Sequence, residues 1–300
     1  MSKCKLDAEY LLYYDCFNFL LLIALSIKGK KKEYYLNTFI KKHPDESHPI
    51  GKSFKSTDST TVNGVSHRDL YYTNNNDLFL EYMLLVLHNY HINPKNLEKR
   101  EAIIKSLNHS IPSLSIKSQY PKNPNTQKGN FAEIFLAEYL QLTTDAQLPI
   151  YKLRYNPNVD QSMKGDDVLL FDLDSTPVRI IVGEAKFRES PTKAAVVDII
   201  NNLICSYKVG IPMSLQFVAD RLFESNNDEL GKKIFELSLL FSNDMIKIDY
   251  VGLLMSNLNV CTYVNKHSKN ELHNLLMISL GMNNPISIID QAFKQLDARL

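Results

Sequence analysis

Two short apolar runs with a turn-like segment between them dominate the middle of the sequence. The runs are Val168–Phe171 and Val178–Lys186, and Leu173–Pro177 between them reads Leu-Asp-Ser-Thr-Pro. Short apolar runs bounded by turn residues are typical of buried strands, and Asp, Ser and Pro favour tight turns. The pattern therefore predicts a β-hairpin whose two strands pair antiparallel.

Apolar periodicity predicts further elements on both sides of this hairpin. In chain order they are helix Asn130–Leu142, strand Ile150–Tyr155, the hairpin, helix Thr192–Lys208, strand Ser214–Ala219, helix Asp228–Leu240 and strand Lys247–Met255. A hairpin followed by a helical crossover places antiparallel and parallel strands in one sheet. The predicted fold class is therefore α/β, with a mixed central sheet flanked by helices.

The first part of the chain, residues 1–117, is predicted to be mostly helical. Periodicity favours helices at Ala8–Ser26 and Asp77–Asn89, and loop composition marks Lys52–Gly64. Ser118–Gly129 contains two prolines and is the predicted boundary to a second domain at residues 129–300. The N-terminal region is a candidate for partner docking or regulation.

Cysteine spacing and hydropathy bear on the compartment. The four cysteines are Cys4, Cys16, Cys205 and Cys261. They are far apart and form no Cys-x-x-Cys pair, so their spacing indicates neither a disulfide framework nor a common zinc site. The apolar run Phe17–Ile27 is eleven residues long, whereas a membrane-spanning helix needs about 20. We therefore expect a cytoplasmic protein that does not enter the membrane.

Charged residues gather where the hairpin strands begin and end. Glu184 and Lys186 are two positions apart, so they lie on one face of their strand. Pairing through the turn would bring Asp167 next to them. Two carboxylates are suitable ligands for Mg²⁺, with Mn²⁺ as a substitute, and a lysine beside them stabilises negative charge. The grouping predicts phosphodiester hydrolysis; the alternative is a simple Glu–Lys ion pair at a strand end.

Contacts to DNA would require a local basic patch, because the net charge of the chain is only +1. Arg188 and Lys193 follow the second hairpin strand and are the candidates for contacting the DNA backbone. Gly51-Lys52-Ser53 is not part of a nucleotide-binding loop, because position 46 is Glu where that motif needs Gly. No nucleotide binding by this chain is expected.

Three short motifs carry a resemblance to known nucleases. They are Gly129–Glu133 (GNFAE), Lys164–Val168 (KGDDV) and Gly183–Phe187 (GEAKF). With the predicted element order, they resemble the PD-(D/E)xK nuclease superfamily over about residues 129–220. Together with the chain length, they resemble more narrowly the HamA family, nuclease subunits of bacterial Hachiman antiphage defence that work beside a helicase subunit, HamB. The resemblance implies a restriction-endonuclease-like core.

The resemblance also implies roles for individual residues. Asp167 matches the metal-binding aspartate, Glu184 the second metal ligand and Lys186 the catalytic lysine. Asp166 is a rival to Asp167, which is favoured because family members usually place the aspartate directly before the apolar run. The leading proline and the Gln-xxx-Tyr element of RecB-type members are absent.

Glu133 matches a glutamate often found on the first core helix, where it would be a further metal ligand. A second interpretation is open, since Asn130 is a good N-cap residue and Glu133 stands at its N3 position. The glutamate would then close a capping box.

The expected function is that of a Mg²⁺-dependent DNA nuclease in bacterial antiphage defence, acting with a helicase subunit. Two alternatives stay open. One is a self-sufficient restriction-type endonuclease, and the other is a DNA-binding or scaffolding subunit that keeps the fold but does not cut.

Overall fold

A six-stranded mixed sheet lies at the centre of the fold. The computed structural model describes residues 40–73, 76–106, 119–209, 212, 214–241, 245–257, 259–269 and 271–298. The predicted helix Ala8–Ser26 and the apolar run Phe17–Ile27 lie outside the described residues. Residues Ile40–Leu300 group as one compact unit, and the predicted boundary at Ser118–Gly129 falls inside it.

Four strands run parallel in the middle of the sheet. In chain order the strands are β1 (Phe54–Thr60), β2 (Ser66–Tyr72), β3 (Val168–Asp172), β4 (Val178–Phe187), β5 (Ile246–Ser256) and β6 (Leu275–Gly281). Their spatial order is β1-β2-β6-β5-β4-β3. Strands β2, β6, β5 and β4 are parallel, while β1 and β3 pair antiparallel at the two edges. The predicted α/β class with a mixed sheet is confirmed.

Helices cover both faces of this sheet. They are α1 (Pro49–Ser53), α2 (Asn76–His91), α3 (Pro94–Ser106), α4 (Pro124–Thr143), α5 (Lys193–Val209), α6 (Leu215–Glu224), α7 (Asp228–Phe241), α8 (Val260–His267) and α9 (Pro285–Ala298). Leu136 of α4 lies against Gly183 on one face, and Ile199 of α5 lies against Gly252 on the other. Within the described ranges, no helix combines the length and the apolar character needed to cross a bilayer.

The predicted hairpin and most predicted helices are confirmed. Strands β3 and β4 pair antiparallel, with Val168 opposite Gly183. Three predicted helices are also present: Asp77–Asn89 is α2, Thr192–Lys208 is α5 and Asp228–Leu240 is α7. The predicted strand Lys247–Met255 is β5. The helix predicted from Asn130 is also present, but it begins earlier, at Pro124.

Two predicted strands are wrong. Ser214–Ala219 belongs largely to helix α6, whose buried residues Leu215, Val218 and Leu222 follow helical spacing. The segment Ile150–Tyr155 ends in a 3-10 helix over Lys152–Tyr155.

The predicted loop Lys52–Gly64 contains strand β1. Five of the seven residues of β1 are exposed, so the strand shows no apolar alternation. It forms through its pairing with β2 at the edge of the sheet. The chain before residue 117 therefore contributes two strands to the same sheet as the hairpin, in addition to helices α1, α2 and α3.

The register of the parallel strands aligns residues into rows across the sheet. One row contains Glu184, Gly252, Met277 and His67, and the row two residues further along contains Lys186, Leu254, Ser279 and Asp69. Residues two apart in a strand point to the same face. Both rows therefore lie on the face that α5 covers.

Candidate active site

The hairpin brings Asp167 into hydrogen-bond contact with the middle of the Glu-x-Lys motif in β4. Asp167 directly precedes β3, and its Oδ2 accepts a hydrogen bond from the backbone N–H of Ala185 at 2.9 Å. Ala185 lies between Glu184 and Lys186. The structure thus brings Asp167 across the hairpin to the Glu-x-Lys motif, as the predicted strand pairing requires.

Glu184 and Lys186 are in direct contact. The Lys186 Nζ donates to Glu184 Oε1 at 3.1 Å, and Asn202 Nδ2 of α5 donates to the same oxygen at 2.6 Å. The side chains of Glu184 and Lys186 are only 12% and 19% exposed. Burial and the nearby Asp167 carboxylate raise the pKa of Glu184 to about 7, although Asn202 and Lys186 oppose this shift.

Lys152, which no sequence motif indicated, lies between the carboxylates of Glu133 and Asp167. Its Nζ lies 3.0 Å from Glu133 Oε1, 3.9 Å from Asp167 Oδ1 and 2.8 Å from the backbone oxygen of Asp166. Burial alone would lower the pKa of Lys152, but Glu133 and Asp167 outweigh burial, so its pKa is raised. The ammonium is therefore charged and shared between the two acids.

Glu133 is a partly buried member of this cluster, with a side chain that is 15% exposed. Burial raises its pKa to about 8; Asp167 and Glu184 add to the shift and Lys152 opposes it. The capping-box interpretation is wrong, because α4 begins at Pro124 with Asn123 as its N-cap. Glu133 lies well inside the helix, and Asn130 is buried with its amide 3.1 Å from His91 Nε2.

Asp166 turns away from the cluster. It is 7% exposed, and its carboxylate accepts hydrogen bonds from Ser206 Oγ at 2.8 Å and from the Ser214 N–H at 3.1 Å. These contacts hold α5 and the start of α6 against the loop before β3. The geometry favours Asp167 over Asp166 as the aspartate that faces Glu133 and Glu184.

The candidate DNA-contacting residues lie at the surface beside this cluster. Arg188 follows β4 directly and Lys193 is the first residue of α5; both are exposed. The Arg188 Nη1 donates to the backbone oxygen of Phe187 at 2.8 Å. Lys128 of α4, which the sequence analysis did not single out, places its Nζ 5.9 Å from the centre of the Phe187 ring. Arg188 and Lys128 therefore border the carboxyl end of β4, and Lys193 follows six residues after that end along the chain.

The donor set suits a hard divalent cation. Glu133, Asp167 and Glu184 offer carboxylate oxygens only, which are the ligands that Mg²⁺ prefers. In the described part of the chain, these three carboxylates do not all come within 4.8 Å of one another. Lys152 lies between two of them, so a cation bound here would share Glu133 and Asp167 with the ammonium.

Comparisons with known proteins agree with one another. A family model described as HamA matches residues 35–296. Hachiman protein HamA from Bacillus cereus is 36% identical over 263 residues, which covers 86% of this chain and 94% of that relative. The match spans the hairpin, the acidic cluster and all six strands, and the chain therefore belongs to the HamA family.

Proposed function

We propose that this protein is a Mg²⁺-dependent DNA nuclease that acts in Hachiman antiphage defence. The observation that carries the proposal is the partly buried cluster of Glu133, Asp167 and Glu184 with Lys152 and Lys186 at the hairpin. Three carboxyl groups share a site with only two ammonium groups, and the raised pKa of Glu133 reflects this shortage of positive charge together with burial. Membership of the HamA family supports the role in defence.

The three carboxylates are the residues that would hold the cation. A bound divalent cation lowers the pKa of a coordinated water and offsets negative charge on the phosphate. Asn202 fixes the orientation of Glu184 through its 2.6 Å hydrogen bond. Lys186 places a positive charge within 3.1 Å of the Glu184 carboxylate, where it would stabilise charge that develops on the scissile phosphodiester.

Basic side chains near this cluster favour DNA as the substrate, and family membership favours a partner from the same defence system. Lys128, Arg188 and Lys193 would contact phosphates of the DNA strand on either side of the scissile bond. Such contacts carry no base sequence, so site selection would depend on DNA ends, on single strands or on the partner. We infer that the partner is the helicase subunit of the Hachiman system.

The direct test is metal-dependent cleavage by the purified chain, alone and with its genomic neighbour. Plasmid and linear DNA are incubated with Mg²⁺, with Mn²⁺ or with chelator, with and without ATP. Glu184→Gln and Lys186→Met should each reduce cleavage by a factor of about 100 or more, because each removes charge at the reacting centre. DNA binding by Glu184→Gln should persist.

Matched controls come from helix α3, whose Glu101 and Lys105 are exposed. Glu101→Gln and Lys105→Met make the same chemical changes at exposed positions of another helix, and both should keep wild-type cleavage. Equal activity in the site variants and in these controls would remove the catalytic assignment.

The position of Lys152 favours one alternative, a subunit that binds DNA without cutting it. Its ammonium lies 3.0 Å from Glu133 and 3.9 Å from Asp167, so it already supplies part of the positive charge that a divalent cation would bring. In that case DNA would be bound in every metal condition, and no cleavage would appear with either metal or with the partner present.

A further inference from the structure

A second cluster of potential metal ligands lies on the same face of the sheet as Glu184. It consists of His67, Asp69 and Cys261, each of which offers one ligand atom, and these atoms all lie within 4.8 Å of one another. His67 and Asp69 are two residues apart in β2, and Cys261 is the second residue of α8. The cluster therefore joins the sheet to a helix that packs on it.

The register fixes the distance of this cluster from the proposed nuclease site. His67 shares a row with Glu184, and Asp69 shares a row with Lys186. Strands β5 and β6 separate β4 from β2, so three interstrand spacings of about 4.8 Å give roughly 14 Å. The two clusters are separate sites along one face.

Polar contacts organise the three side chains. Ser279 of β6 is fully buried, and its hydroxyl donates to Asp69 Oδ1 at 2.6 Å and lies 2.8 Å from His67 Nε2. His67 is only 2% exposed, so its imidazole lies inside the packed layer between sheet and helix. The Cys261 thiol donates a hydrogen bond to the Asp69 carboxylate.

The chemistry of the three donors indicates which kind of metal ion the cluster would take. The donors are one nitrogen, one oxygen and one sulfur. That mixed set suits Zn²⁺ and related transition metals, whereas the oxygen-only set of the first cluster suits Mg²⁺.

We propose that His67, Asp69 and Cys261 form a metal site for Zn²⁺, separate from the carboxylate cluster. Zinc–ligand distances are about 2.0–2.3 Å, so ligand atoms around one ion stand closer together than 4.8 Å, and small side-chain rotations close the site. Ser279 orients two of the ligands. A bound ion would link β2 to the start of α8 and would stabilise the edge of the sheet formed by β1 and β2.

The test uses Co²⁺ as a spectroscopic substitute for Zn²⁺ in the full chain. A variant with Cys4, Cys16 and Cys205 changed to Ser keeps Cys261 as its only cysteine. Treated with chelator and then titrated with Co²⁺, it should bind one equivalent with a sulfur-to-cobalt charge-transfer band. Zn²⁺ should displace Co²⁺, and metal analysis of the purified wild type should find one zinc per chain.

Two further variants separate this site from the carboxylate cluster. Cys261→Ser should abolish the charge-transfer band and weaken Co²⁺ binding at least tenfold, whereas Glu184→Gln should leave the band unchanged. Ser279→Ala should weaken binding by about 10–100-fold, as loss of a ligand-orienting hydrogen bond usually does.

The proposal would be overturned if the single-cysteine variant gives no charge-transfer band although its circular dichroism matches that of the wild type. Co²⁺ binding with the band intact in Cys261→Ser would do the same. If the single-cysteine variant fails to fold, Cys205→Ser serves as the reference, because Cys205 is exposed and lies outside the cluster. None of these readouts depends on DNA cleavage.

Discussion

Replacing Glu133 with Gln should change how the stability of the metal-free protein depends on pH. The pKa of Glu133 is raised from 4.5 to about 8 because the carboxyl is buried and lies near Asp167 and Glu184. A raised pKa means that the folded protein holds this proton more tightly than the unfolded chain does. The resulting stabilisation is complete below about pH 4.5 and is lost as the pH rises through about 8.

The size of the effect follows from these two pKa values. Between about pH 6.5 and 8.5, ionisation of Glu133 should cost the wild type roughly 2 kcal/mol of unfolding free energy. Glu184, with a pKa of about 7, adds roughly 1 kcal/mol over the same interval. Glutamine resembles the protonated acid and does not titrate. The variant should therefore become more stable relative to the wild type by about 2 kcal/mol across this interval.

The assay is urea unfolding in chelator at both pH values. Several histidines have pKa values lowered by burial, and their contribution rises with pH, opposite in sign to that of Glu133. Comparing Glu133→Gln with the wild type cancels the histidine contribution. Glu101→Gln, on the surface of α3, should follow the wild type at both pH values.

Addition of Mg²⁺ extends the same experiment. A cation that binds ionised carboxylates should stabilise the wild type more at pH 8.5 than at 6.5, and it should stabilise Glu133→Gln less at either pH. A constant difference between Glu133→Gln and the wild type over the whole interval would refute the electrostatic account of this cluster.

Two substitution pairs test the framework around the site. Asp166→Asn should lower the unfolding free energy by about 1–3 kcal/mol, because it weakens two buried hydrogen bonds. Urea unfolding measures this loss. The same change at Asp167 should instead abolish metal-dependent cleavage. Gly183→Ala should cost about 1–3 kcal/mol, because its new Cβ would lie 2.9 Å from a side chain of β3. Gly129→Ala in α4, where a Cβ meets nothing within 4 Å, should stabilise by about 0.5–1 kcal/mol.

The sequence predicted those parts of the structure whose conformation is determined by neighbouring residues in the chain. The hairpin has two apolar runs and a turn within 20 residues, so its strands and their pairing follow from local signals. Glu184 and Lys186 lie on the same face of β4 because side chains alternate between the two faces of a strand. Asp167 is brought to them by the hairpin alone, which is why these three members of the cluster could be predicted from local pattern, whereas Glu133 was indicated only by the family resemblance.

Lys152 and β1 could not be found in this way, because distant parts of the chain determine them. Lys152 stands in a 3-10 turn and reaches the cluster only because α4 and β3 pack around it. Strand β1 is mostly exposed, and its strand conformation depends on pairing with β2. The same limit applies to Cys261, which reaches His67 only through the order of β5, β6 and β2 in the sheet.

The charge balance of the carboxylate cluster connects its stability with its proposed activity. Lys152 is charged and compensates Glu133 and Asp167, yet the pKa of Glu133 is still raised to about 8, so one ammonium does not neutralise this group of acids. Near neutral pH the metal-free site therefore tends to retain a proton. If the proposed cation binds here, Glu133 would have to release that proton in order to act as a ligand. Cation binding would then be linked to proton release at Glu133, and the affinity for Mg²⁺ should rise with pH until this carboxyl is fully ionised.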